Sequence, residues 1–137
     1  MQKYMDDYVF YSSSKEQLHK WKIKMDKYLS DNLELKIKDN WQIFPTKVRG
    51  VDFIGYRNFG EYILLRKSIA KNFKSKMSGY LKFAENEGYI TEHMYISINS
   101  YNGWLKWCNS YNLYNEYVKP LENYLDKYHS EVIKNES

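Results

Sequence analysis

The spacing of apolar and polar positions changes along the chain from a period near two to a period near 3.6 and back, and these changes mark out its elements. Tyr4 to Tyr11 is aromatic and apolar around Asp6-Asp7, which predicts a strand, a tight acidic turn and a second strand ahead of Ser12-Ser13-Ser14. Ser14 with Gln17 three residues on is a capping-box signal. Leu18, Trp21, Met25, Tyr28 and Leu29 then recur at helical spacing, which predicts a helix from Lys15 to about Leu29, closed by Asn32. Leu33, Leu35 and Ile37 alternate with Glu34, Lys36 and Lys38 as in a half-buried strand. Asp39-Asn40 is the expected turn into Trp41 to Phe44, a second hairpin.

After Pro45 and Gly50, Val51 to Arg57 reads as one strand with Val51, Phe53 and Gly55 on one face. Asn58-Phe59-Gly60 turns it into a partner strand, Tyr62 to Leu65. Beyond Lys67 the strand pattern stops. Ser68 is placed to cap a helix whose stripe is Ile69, Phe73, Met77, Tyr80 and Leu81. Gly88 ends it, Thr91 caps the next with Tyr95, Ile98, Tyr101 and Leu105, and Pro120 marks a break before Leu121 to Tyr128. The expected fold class is α+β with segregated elements, a β-rich part over 1–66 and a helical part over 67–137.

Composition narrows the classes. The 137 residues suit one domain or two very small ones, and 18% aromatic residues, among them 15 Tyr, argue against disorder. The net charge of +4 favours anionic partners in general and names none. Cys108 is the sole cysteine, so an internal disulfide framework is excluded and a reduced, cytoplasmic setting is the simplest expectation. No apolar run has the length of a membrane span, and no signal-type stretch precedes Asp6-Asp7.

Candidate chemistry centres on Asp6 and Asp7. Adjacent carboxylates on a strand point to opposite faces, and a hairpin tip is what can turn both toward one site. Two hard oxygen donors there suit Mg²⁺, which takes one or two carboxylates plus phosphate oxygens, although Asp is also a common turn residue with no such role. Lys67, Lys71 and Lys74 at spacings of four and three share a helix face that can follow a phosphate backbone or be a plain solvated face, with Lys76 and Lys82 nearby. Tyr101, Trp104, Trp107, Tyr111, Tyr114 and Tyr117 can stack on bases but fit a bundle core better. His19, His93 and His129 lie on polar stretches with no zinc spacing.

Tyr4-Met5-Asp6-Asp7 resembles the Tyr-x-Asp-Asp signature of reverse transcriptases, RNA-directed DNA polymerases, and later segments extend the match in order. The helix opening Ser14-Lys15-Glu16-Gln17-Leu18, the stretch Leu33-Glu34-Leu35-Lys36-Ile37, the segment Gln42-Ile43-Phe44-Pro45 and Gly50-Val51-Asp52-Phe53-Ile54-Gly55-Tyr56 resemble palm segments of bacterial retroelement enzymes. These are the group II intron, retron and diversity-generating types. The similarity covers about Gln2 to Arg66 well and Lys67 to Leu121 more loosely, where that family has a helical thumb.

The resemblance implies that Asp6 and Asp7 are catalytic and hold Mg²⁺ as part of a two-metal nucleotidyl-transfer site, with Tyr4 and Met5 near the primer end and incoming nucleotide. It implies that Phe53, Ile54, Gly55 and Tyr56 form a primer grip, that Lys67, Lys71 and Lys74 meet the nucleic-acid backbone, and that the partners are an RNA template and an RNA–DNA duplex. In that family a further aspartate and a basic fingers region precede the signature, whereas this chain opens three residues before Tyr4. A fragment inactive alone is therefore expected, with homodimerisation through the truncated sheet edge or a second chain supplying the missing part. The alternative is a non-catalytic nucleic-acid-binding or structural module that pairs with another chain.

Overall fold

The structure, a computed structural model, describes residues 2–4 and 7–136. The chain divides into two compact units, Met1–Pro45 and Thr46–Ser137.

In the first unit β1 (Gln2–Tyr4) pairs antiparallel with β2 (Asp7–Val9), Tyr4 opposite Asp7, which is the hairpin the sequence predicts. Helix α1 spans Lys15–Leu33. Ser14 Oγ accepts from the Gln17 N–H at 3.3 Å, so the cap forms, but the Gln17 side chain does not reach back to Ser14. Ser12 stands between them: its hydroxyl donates to Gln17 Oε1 and accepts from the Ser14 N–H. Phe10 packs on Trp21, with ring centroids 6.4 Å apart.

The second expected hairpin is corrected. Residues 34–45 contain no strand among the described residues. Helix α1 runs four residues past the expected Leu29 and stops where Glu34 adopts a left-handed conformation, φ 51°, with the Glu34 and Leu35 N–H groups both donating to the Leu29 carbonyl. The alternating Leu33, Leu35 and Ile37 have no sheet to face, and Leu33 and Leu35 remain exposed. Trp41 packs on α1 instead, edge-on to His19 and 4.7 Å beneath Lys22 Nζ.

The second unit begins with a short helix α2 (Thr46–Arg49) and a three-stranded antiparallel sheet, β3 (Val51–Phe53), β4 (Tyr56–Asn58) and β5 (Ile63–Leu65), in that spatial order. The single strand expected over 51–57 is thus two strands: Phe53 pairs with Tyr56, and Ile54-Gly55 forms a two-residue turn with φ of 44° and 86°. Helices α3 (Lys67–Glu87) and α4 (Glu92–Leu105) follow. Then come α5 (Tyr111–Leu113), a π turn (Tyr114–Val118), a 3₁₀ turn (Lys119–Leu121) holding Pro120, and α6 (Glu122–Glu136). Pro120 sits at the start of the 3₁₀ turn, where its missing N–H costs no ladder bond, so the chain stays helical through the expected break.

Gly88 ends α3 in the left-handed conformation, and Thr91 Oγ1 accepts from the Met94 N–H, both as the sequence indicates. Ser68 does not cap α3. The helix opens two residues earlier than that cap would place it, with Arg66 at the cap position and no side-chain cap bond. The core is Leu65, Phe73, Met77, Ala84, Ile90, Ile98, Leu105, Val118 and Leu121, so the stripes read on α3 and α4 are the buried faces.

The fold is α+β with a helical C-terminal region. Its compact units divide ahead of the β3–β5 sheet, whereas the sequence reading places that sheet with the first part, over 1–66. Four hydrogen bonds tie the sheet and its turn to the helical part. Arg66 N–H donates to Gly55 O at 2.8 Å, Tyr56 O–H donates to Trp104 O at 2.8 Å, and Asn109 bonds Ile63 through its N–H and its Oδ1. Among the described residues, no helix is long and apolar enough to cross a membrane.

Candidate nucleic-acid interface

The Phe53-Ile54-Gly55-Tyr56 segment is a hairpin tip held against the helices. A Cβ on Gly55 would collide with the Trp104 ring and lie 2.8 Å from Ile69 Cδ1, so close packing as well as the positive φ calls for glycine. Ile54, β-branched and 47% exposed, holds a left-handed φ that such side chains rarely adopt. A local conflict of this kind persists only where the surroundings impose it, and strained turns of this sort cluster at ligand contacts. Phe53 is half-buried. Tyr56 packs tilted against Trp104, with ring centroids 5.4 Å apart, in addition to its hydrogen bond, and burial, then the nearby Cys108 thiol, push its phenol above the ordinary tyrosine value.

The bond from Arg66 N–H to Gly55 O sets this tip beside the first turn of α3. That turn carries Lys67 and no acidic residue, so the positive end of the helix dipole is reinforced where a carboxylate would ordinarily offset it. At 100° per residue, Lys67, Lys71 and Lys74 fall within about 60° of arc, and all three are exposed. Lys74 Nζ lies 5.7 Å from the Tyr117 ring, which the π turn brings over Phe73. Lys76 lies on the other flank, 5.7 Å from the Tyr101 ring. The guanidinium of Arg66 is engaged with Asp52, Nε and Nη2 reaching the same carboxylate oxygen at 2.9 and 2.7 Å. Asp52 thus orients the cap residue of α3.

In the first unit, the described member of the acidic pair is Asp7, exposed at the start of β2. Met5 and Asp6 lie outside the described residues, and Tyr4 is described only as a strand residue opposite Asp7. A carboxylate on a hairpin is a hard oxygen donor of the kind Mg²⁺ accepts beside several waters. Among the described residues, no three His, Cys, Asp or Glu groups converge as a metal site.

The aromatic cluster divides in two. Tyr101, Trp104, Tyr114 and Tyr117 pack against the core, whereas Trp107 is 73% and Tyr111 82% exposed. Tyr114 donates to Glu122 Oε1 at 2.7 Å, and that bond, with burial second, raises its phenol. The Cys108 thiol is half-buried against the Trp104 and Leu105 carbonyls and is pushed up by burial. His129 meets the Tyr95 hydroxyl at 3.2 Å.

Sequence reasoning passed over Asn72, Ser97 and Ser100 and read His93 as a plain surface histidine, whereas all four line a groove between α3 and α4. The signal was the four-three-four spacing of His93, Ser97, Ser100 and Trp104 along one helix face. No family model matches this chain, and no curated protein matches it.

Proposed function

We propose that this chain is part of an RNA-directed DNA polymerase of the bacterial retroelement kind, its second unit holding an RNA–DNA primer–template duplex. The observation that carries the reading is the bond from Arg66 N–H to Gly55 O, which sets the strained, exposed Ile54 tip beside the basic first turn of α3. A duplex needs two kinds of contact there. Lysines on one helix face meet successive phosphates, and a rigid tip fixes the strand end. Lys67, Lys71 and Lys74 supply the first, and the Phe53–Tyr56 tip the second.

Asp6 and Asp7 would hold Mg²⁺, which when bound activates a primer hydroxyl and stabilises the leaving pyrophosphate. The resemblance calls for a further aspartate besides these two, and the reading assigns it to another molecule. Nucleotide transfer by the isolated chain is not expected.

The test is binding to a labelled RNA–DNA duplex by fluorescence anisotropy across a salt series. Affinity should fall steeply with salt, and replacing Lys67, Lys71 or Lys74 by Gln should each lower the log–log slope by about 1. Salt-independent binding, or slopes unchanged in all three variants, would sink the reading.

The second reading, a non-catalytic module that pairs with another chain, is favoured by the apolar surface of the first unit, where Ile23 is 66%, Tyr28 61% and Leu35 56% exposed. A complex with a separate chain that forms without nucleic acid and is lost in Ile23→Asp would favour it.

A further inference from the structure

Within the second unit an open groove of about 450 Å³ runs between α3 and α4, in the size range of small-ligand sites. One wall is the line His93, Ser97, Ser100 and Trp104 on α4, and Asn72 and Lys76 face it from α3. At 1.5 Å per residue that line is about 16 Å long. Ile69 and the Trp104 ring form its apolar end, fixed from behind by Gly55.

The charge of this lining differs from that of the chain. The sequence has 17 acidic against 21 basic residues, yet none of the groove's lining residues is acidic. Lys76 has no carboxylate partner among the described residues and only the Tyr101 ring beside it. Ser97 Oγ accepts from the Tyr80 hydroxyl at 3.1 Å, which leaves the Ser97 proton to be donated. The site therefore offers a cation, an imidazole, hydroxyl donors and an amide at one end and an apolar surface at the other.

We propose that this groove binds an organic phosphate of nucleotide type, its phosphate received by Lys76, His93 and the Ser97 and Ser100 hydroxyls and its ring laid on the Ile69–Trp104 end. The chemistry is that of charge-assisted hydrogen bonds to phosphate oxygens combined with burial of a flat ring. The source is a free nucleotide or one residue of a nucleic-acid strand. The proposal does not rest on the polymerase reading, because Lys76 and its partners lie on the flank of α3 away from Lys67, Lys71 and Lys74.

The test is a ¹H–¹⁵N correlation titration of the full chain with AMP, adenosine, inorganic phosphate and a short oligothymidylate. AMP should shift the amides of Asn72, Lys76, His93, Ser97 and Ser100 and the Trp104 indole. Adenosine should bind about tenfold more weakly for want of the phosphate, and inorganic phosphate should leave the Trp104 indole in place. Lys76→Gln and His93→Gln, both at exposed positions, should weaken AMP about five- to tenfold each, and Lys127→Gln on α6 should not. Oligothymidylate saturating below AMP assigns the site to a strand, and the reverse order to a free nucleotide. The proposal is overturned if neither AMP nor oligothymidylate moves these resonances at about 10 mM, or if Lys127→Gln weakens AMP as much as Lys76→Gln, which would mark diffuse attraction to a basic protein. Duplex binding that fails while AMP still shifts the groove removes the polymerase reading and leaves this one standing.

Discussion

The two units solve the burial problem to different degrees. Thr46–Ser137 contains all nine buried apolar residues of the core, with Phe73, Met77, Ile98, Val118 and Leu121 fully enclosed. Among the described residues of Met1–Pro45, none is buried, and α1 exposes Ile23, Tyr28 and Leu33. Local signals are comparable in both, since α1 and α4 each have a side-chain cap and apolar residues at helical spacing. Capping and periodicity write the helices, and burial decides which of them stands by itself. The second unit has the means to be stable alone. The first has a helix whose stripe residues Leu18, Trp21, Met25 and Leu29 are only half-buried, with Tyr28 exposed.

The largest effect expected from this contrast is on the core. Phe73→Ala should cost about 3–5 kcal/mol in urea unfolding followed by circular dichroism, whereas Ile23→Ala should stay within about 0.5 kcal/mol. Equal losses would mean that α1 is packed in solution. Next is the turn. Gly55→Ala meets both an unfavourable φ and the Trp104 ring and should cost about 2–4 kcal/mol, while Gly60→Ala, φ 92° with nothing within 4 Å of its added Cβ, should cost only about 1–2 kcal/mol.

Ile54→Asn places in the turn a residue that tolerates positive φ and should raise the unfolding midpoint, a gain of about 1 kcal/mol, while weakening duplex binding if the tip contacts the strand. The smallest effect is alkaline. Tyr56 and Tyr114 have phenols raised above 10.0 in the fold, so the neutral form is the one that folding favours. Their contribution is fully present below about pH 10 and is lost as pH rises through the raised values. Tyr56→Phe should flatten that loss in a pH series of unfolding midpoints.

Where a periodic stripe met a core, the sequence was readable. Ile98 and Leu105 on α4, Phe73 and Met77 on α3, and the caps at Gly88 and Thr91 all stand where spacing places them. The alternation Leu33-Leu35-Ile37 misled because a period of two means a strand only if a sheet receives it, and the left-handed Glu34 ends a helix there instead. The Ile54-Gly55 turn was hidden because Ile is among the residues least expected at positive φ.

Of the candidate site, the lysine face of α3 followed from spacing alone. Its adjacency to the Phe53–Tyr56 tip depends on the Arg66–Gly55 bond across the end of β5, which no local pattern announces. The α3–α4 groove was missed for a similar reason. Ser97 and Ser100 look like ordinary polar positions until Lys76 is set opposite them. The Asp6–Asp7 reading rests on the motif, with Asp7 alone among the described residues.

The most direct test is hydrogen exchange of the full chain with and without an RNA–DNA primer–template duplex at low salt. The account predicts added protection at the β3–β4 turn around Ile54 and Gly55 and in the first turns of α3 from Lys67 to Lys74. Protection absent from both segments while the duplex is bound, or confined to α6, would contradict it.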